Sequence, residues 1–384
     1  MKTLQQKLQH RWVTNLKWIR MYMKSRITGV ILLFDKESIV MTKKQFGYDK
    51  NGKEATLYSF CNKNGMVMEV TDFGATLYAL MVPDKDGDLR DVVLGYDNPQ
   101  GYMGPGGTGF GATIGRNGNR ICGAKFTLHG KTYELDRNNN GNNLHSGFDY
   151  YHYRIWTVKE VTANSITFSL YSPDGDQGFP GNFEVDVTYT LTDDNALQID
   201  YHGTTDADTI VNMTNHSYFN LNGHASGDVL EQEMWVDADA FTATDSLLIP
   251  TGEILSVTDT PMDFRVRKKI GRDIDADFEA IGFGGGYDHN WCLNNQGKFA
   301  KVAEMWSQES GITMEVYTDL PGVQIYAGNF LDQEVGKNGV VYRKRQGICF
   351  ETQHYPDAIN HENFPSPILR AGEIYQTRTV YRFV

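Results

Sequence analysis

From residue 54 onward, apolar and polar positions alternate with a period of two. The clearest case is Phe183, Val185, Val187, Tyr189 and Leu191, followed by the turn residues Asp193-Asp194-Asn195 and then by Leu197, Ile199 and Tyr201 in the same alternation. That pattern predicts an antiparallel hairpin with one buried face. Met66–Tyr78 and Leu89–Tyr96 read as strand-like runs on either side of the turn segment 84–88. Phe126–Leu128 and Tyr133–Leu135 flank a His129-Gly130 turn, and Ile312, Met314 and Val316 repeat the alternation near the C-terminus. Helical periodicity is nearly absent after residue 40. Together with 39 glycines at turn positions, this predicts an all-β sandwich or barrel, taken as one domain over 41–384.

Residues 1–40 differ in texture. Eight basic side chains stand there against Asp35 and Glu37, so this segment carries +6 and residues 41–384 carry −18 of the total of −12. Trp12, Trp18, Ile19, Met21 and Met23 lie at loosely helical spacing. A membrane-surface helix is one reading. The other, which we adopt, is a basic extension outside the fold, with Met41 as the physiological start.

Composition narrows the function. Aromatic residues make up 12% of the 384-residue chain, which favours strands and supplies flat faces for sugar rings. An acidic chain does not attract phosphate backbones, so nucleic acid is excluded as a partner. No apolar run reaches bilayer-spanning length, and no stable membrane association is expected. Cys61, Cys122, Cys292 and Cys349 stand alone without a CxxC pair, which predicts a reducing, cytoplasmic setting.

Five segments break the alternation with polar residues set among glycines and aromatics: 115–121, 142–147, 212–223, 286–291 and 347–357. Glu351 closes the apolar run Ile348-Cys-Phe350, where a carboxylate is costly unless paired or functional. Burial there would raise its pKa toward the range of a general base. A salt bridge with an arginine is the alternative. His216 sits among Asn212, Asn215, Asn220 and Asn222 and could exchange a proton near neutral pH, or be a core histidine bonded to backbone. Arg120 and His145 are candidate donors to hydroxyls, with a surface ion pair and a turn cap as their alternatives. Asp288 is a candidate acceptor for hydroxyls, or a turn former. Tyr218 and Trp291 could stack on a ring or belong to the core.

Other chemistries fail. Gly284-Gly285-Gly286 lacks the context of a phosphate-binding loop, and there is no GxSxG elbow. His354 and His361 match no standard metal spacing with His145 or His216, so neither metal nor cofactor is expected.

The five segments in this order resemble the aldose 1-epimerase (galactose mutarotase) family. The resemblance runs from about residue 54 to the C-terminus. It is carried most strongly by Thr214-Asn-His-Ser-Tyr-Phe-Asn-Leu221, by Leu320-Pro-Gly-Val-Gln-Ile-Tyr-Ala-Gly-Asn-Phe330 and by Phe350-Glu-Thr-Gln-His-Tyr-Pro-Asp-Ala358. Pro367-Ile-Leu-Arg-Ala-Gly-Glu373 is similar to the family's closing motif.

The resemblance implies a large antiparallel β-sandwich with an open sugar-binding cleft. It also implies cofactor-free interconversion of the α and β anomers of free hexoses such as galactose and glucose. His216 would be the acid and Glu351 the base. Asn119, Arg120, His145, Tyr218, Asp288 and Gln324 would hold the free aldose. One departure is Ser146, where many family members have glycine; a small side chain should fit there.

One base and one acid on opposite sides of the acetal carbon would serve this chemistry, whereas glycoside hydrolysis normally uses two carboxylates. A related enzyme for a phosphorylated hexose or a pentose is weakened by the lack of a cationic cluster around Arg120. A non-catalytic sugar-binding module is weakened by the presence of both acid and base.

Overall fold

The computed structural model describes residues 31–33, 40–104 and 108–384. The amphipathic spacing over Trp12–Met23 and most of the basic extension lie outside the described residues. Ile31–Leu33 is a short strand paired with Val40–Thr42.

Alternation does what it predicts. Phe183–Leu191 and Ala196–Thr205 form an antiparallel hairpin in which the apolar residues are buried and the intervening ones face outward. The hairpin supplies the third and fourth strands of a nine-stranded sheet. From one edge its order is Thr157–Val161, Ser165–Ser172, Phe183–Leu191, Ala196–Thr205, Ile374–Phe383, Thr313–Thr318, Ala300–Trp306, Glu233–Val236 and Lys268–Lys269. The C-terminal strand thus inserts beside the hairpin, pairing Thr204 with Ile374 and Ala196 with Arg382.

A six-stranded sheet, in the order Tyr218–Phe219, Ile348–Gln353, Gly322–Tyr326, Asp288–Leu293, Ala238–Thr244 and Pro250–Ser256, packs against the nine-stranded one. Tyr381 Oη donates to Phe350 O at 2.8 Å, and the Phe219 and Tyr381 rings lie 4.8 Å apart across the layers. Ile348, Phe350, Val323, Ile325 and Trp291 enter the same core as Val187, Ile199, Met314 and Val316. All named strand pairs are antiparallel. The all-β sandwich expected from the residues is therefore what forms, and among the described residues no helix is long and apolar enough to cross a membrane.

Two local expectations are corrected. Met66–Tyr78 is two strands, Val67–Thr71 and Thr76–Pro83, folded back on each other at residues 72–75. Gly74 turns the chain with φ +71, and a Cβ there would lie 2.6 Å from the carbonyl oxygen of His152. Only glycine combines that φ with so close an approach. Leu89–Tyr96 is a regular strand only over Leu89–Asp91, after which Val93 makes one isolated antiparallel bridge to Phe219. Beyond it, Asp91 Oδ2 and the Val93 carbonyl turn to the buried Lys337 ammonium.

Candidate active site

Three neighbouring strands of the six-stranded sheet build the floor of the site. On Ile348–Gln353, alternate residues Ile348 and Phe350 enter the core, so Cys349, Glu351 and Gln353 face the other way. Residues opposite one another in an antiparallel pair share a face. The register pairs Glu351 with Gln324 and Gln324 with Asn290; the next row holds Tyr218, Cys349, Tyr326 and Asp288. All six residues of Ile348–Gln353 and all six of Asp288–Leu293 are buried, so these strands have an apolar buried face and a polar buried face.

His216 ends the strand Thr214–His216, which pairs with Ala112–Ile114. Its Nε2 lies 3.5 Å from Glu351 Oε1. The ring is stacked on Tyr218 at 5.0 Å and 17°, and meets His145 edge-on at 5.4 Å and Tyr326 at 6.4 Å. Burial lowers its pKa to about 4, with a hydrogen bond to its own backbone and then the nearby Asp288 charge acting the other way. Burial first, and then the Asp288 charge, hold Glu351 well above the usual carboxylate range, with Arg120 opposing. Glu351 Oε2 has no hydrogen-bond partner among the described residues. Burial therefore favours the uncharged form of both partners, an imidazole beside a carboxylic acid.

A two-stranded ribbon supplies the opposite wall. Leu144 pairs with Arg120 and Asn143 with Ile121, which locks Asn119, Arg120 and His145 together. The His145 N–H donates to Asn119 O, and the Asn119 N–H donates to His145 Nδ1, both at 3.1 Å. Asn119, His145 and Ser146 all have positive φ, at 62°, 53° and 75°, a conformation that non-glycine residues hold only when their surroundings demand it. Ser146 earns its place where glycine was expected: its Oγ accepts from the Asn117 N–H at 2.8 Å and donates to Asn117 O at 3.0 Å. Arg120 Nε donates to Asn139 Oδ1 at 3.2 Å. Gln324 Nε2 donates to Asp288 Oδ1 at 2.7 Å, aiming that carboxylate.

The ligating atoms of His145, His216 and Glu351 lie within 4.8 Å of one another, close enough to suggest a metal centre. The donor chemistry fits one poorly. Because His145 Nδ1 accepts the Asn119 N–H, the neutral ring carries its proton on Nε2. A protonated nitrogen is a hydrogen-bond donor and cannot be a ligand. The trio presents donors and one acceptor, which suits hydroxyl groups.

The eight residues named for the site fall into one cluster, and of the two readings open for Trp291 the core one holds. Trp291 is core: it is fully buried, and its Nε1 donates to Met262 O at 3.0 Å. Three of the asparagines around His216 act as backbone clamps, while Asn222 bonds the side chains of Ser307 and Glu309. Asn212 Nδ2 donates to His354 O while its Oδ1 accepts the His354 N–H, Asn215 Nδ2 donates to Gly111 O and Tyr189 Oη, and Asn220 Nδ2 donates to Gly227 O and Gln346 O.

Three residues at the site were missed. Tyr326 and Cys349 sit two positions from Gln324 and Glu351, so extending the alternation along those strands finds them. His152, buried between the rings of Tyr150 and Tyr153 and held at a pKa of about 3 by burial and by His216, lies in a tyrosine-rich stretch with no periodic signal.

Comparison with known proteins gives this cluster its context. The aldose 1-epimerase family model matches residues 56–382. The chain belongs to the aldose 1-epimerase family. It is 43% identical to the galactose mutarotase of Bos taurus over 317 residues, covering 82% of this chain and 90% of that one. It is 38% identical to the aldose 1-epimerase of Escherichia coli over 337 residues, covering 87% and 96%. Among solved structures, the aldose epimerase homologue from C. elegans superposes with a TM-score of 0.78 at 34% identity, covering 84% of this chain and 97% of that one. The galactose 1-epimerase of Lactobacillus acidophilus does so with 0.79 at 25% identity, covering 90% and 99%. This family member is accordingly an enzyme, an aldose 1-epimerase.

Proposed function

We propose that this epimerase interconverts the α and β anomers of free hexoses, galactose and glucose among them, with Glu351 as general base and His216 as general acid. The observation that carries this reading is the 3.5 Å approach of His216 Nε2 to Glu351 Oε1. In a cyclic aldose the C1 hydroxyl and the ring oxygen are bonded to the same carbon. An acid and a base that serve them must therefore be close neighbours.

Proton accounting follows from the two pKa shifts. The pair shares one proton, and burial favours Glu351 as its resting place. Its transfer to His216 Nε2 creates the base and the acid in one step. Glu351 then takes the proton of the C1 hydroxyl while His216 gives its own to the ring oxygen, and the C1–O5 bond breaks to leave the open aldehyde. Glu351 is again protonated and His216 again neutral. After rotation about C1–C2, Glu351 returns a proton to the carbonyl oxygen, His216 removes one from the C5 hydroxyl, and the ring closes on the other face. The uncharged pair closes rings and the ion pair opens them, so the cycle resets without a cofactor.

Asn119, Arg120, His145, Tyr218, Asp288 and Gln324 hold the sugar: Asp288 accepts from hydroxyls, His145 and Arg120 donate, and Tyr218 braces the His216 ring. The four cysteines are all free, which supports a cytoplasmic setting. Residues 41–384 act as the catalytic domain, to whose first sheet the strand Ile31–Leu33 of the basic extension adds. The test is polarimetry of freshly dissolved α-D-galactose and α-D-glucose. Acceleration of both toward equilibrium at catalytic protein concentrations is expected, and decay at the spontaneous rate for both contradicts the reading.

A further inference from the structure

His216 has two ring nitrogens, and the mechanism uses one. Nε2 faces Glu351; Nδ1 lies 3.4 Å from Cys349 Sγ, within hydrogen-bonding range for sulfur. Cys349 is fully buried on the cleft face of its strand, directly opposite Tyr218, whose ring is stacked on His216. The imidazole is therefore gripped by Tyr218 on its face, by Cys349 at one nitrogen and by Glu351 at the other. Catalytic and metal-binding histidines usually give this second nitrogen to a carboxylate or a carbonyl oxygen, which stabilises the protonated ring. Here the side chain at that nitrogen is a thiol, a weak acceptor, and the ring's other hydrogen-bond contact is its own backbone.

We propose that Cys349 is a positioning residue for His216, accepting the Nδ1–H of the imidazolium so that the ring is held in line while remaining a strong acid. A hemiacetal ring oxygen is a weak base, and a strong acid is what protonates it. An oxygen acceptor at the same place would hold the ring equally well and make it a weaker acid. No bond to sulfur forms in the cycle, and the thiol keeps its proton throughout. This inference rests on the acid role proposed for His216.

The experiment measures kcat and KM by polarimetry across pH for Cys349→Ala, Cys349→Ser and each of these combined with His216→Asn. Cys349→Ala is expected to lower kcat about tenfold, one hydrogen bond's worth of alignment, with KM within about twofold. Cys349→Ser is expected to recover most of kcat, with the acid limb of the profile moved to higher pH, because a hydroxyl oxygen stabilises the imidazolium better. Adding either change to His216→Asn is expected to cost nothing more, since residues acting through one group are not additive. Wild-type kcat and an unmoved acid limb in both single variants overturn the proposal. So does a loss that persists undiminished in the His216→Asn background, which would mark Cys349 as packing alone. Should His216→Asn itself turn over at the wild-type rate, the acid role falls, and that result is distinct from either outcome at Cys349.

Discussion

Two pieces of strand in this molecule obey the same period of two to opposite ends. In Phe183–Leu191 the apolar residues enter the core while Glu184, Asp186 and Thr188 face outward, fully or partly exposed. In Ile348–Gln353 the apolar residues enter that same core, but Cys349, Glu351 and Gln353 on the other face are buried as well. Outward polar groups stay hydrated and cost little. Buried ones lose their water, and their protonation shifts as a result. A strand buried on both faces that still alternates polar with apolar residues is thus a marker of chemistry, because a purely structural strand in that position would be apolar throughout.

The sharpest way to break the comparison is to change the cleft face. His216→Asn should lower turnover about 10²- to 10⁴-fold, the usual contribution of a positioned acid or base. Polarimetric rates should show this, with far-UV circular dichroism and the denaturant midpoint little changed. The inward face of Ile348–Gln353 should respond in the opposite sense. Phe350→Ala, in the core with Ile348 and Tyr381, should destabilise the protein by about 3–5 kcal/mol, read from denaturant titration.

Between these lies Asp288→Asn. It removes an acceptor that Gln324 holds toward the cleft and should raise KM about tenfold, the order of one charged hydrogen bond. It also removes a negative charge that raises the Glu351 pKa. Glu351 then loses its proton at lower pH. The shared proton is gone sooner, and the alkaline limb of kcat/KM moves down in pH; a limb that stays or rises contradicts this electrostatic account. The smallest effect belongs to the outward face of the hairpin: Glu184→Gln should change stability by no more than about 0.5 kcal/mol and leave activity untouched.

The two regions also differ in how far the sequence discloses them. The hairpin was readable in full, turn included, because local alternation and a turn cluster decide it. Glu351 and His216 were readable as candidates, yet each had an ordinary structural alternative, and only their order among the five polar segments and the likeness to one family joined them. Trp291, Asn212, Asn215 and Asn220 show why residue type alone misleads. An indole needs one acceptor and an amide can clamp a backbone carbonyl, and the fold used them for that. The break at residues 72–75 was hidden because the apolar character runs through the turn: Phe73 is itself fully buried. His152 reaches the neighbourhood of His216 through tertiary packing, which no local periodicity encodes.

The most direct test of the paired acid and base compares Glu351→Gln with the native protein on α-D-galactose, following optical rotation for turnover and titration calorimetry for binding. The account predicts that the variant binds the sugar within a few-fold of the native affinity and loses about 10²- to 10⁴-fold in turnover. A variant that equilibrates the anomers at the native rate contradicts it.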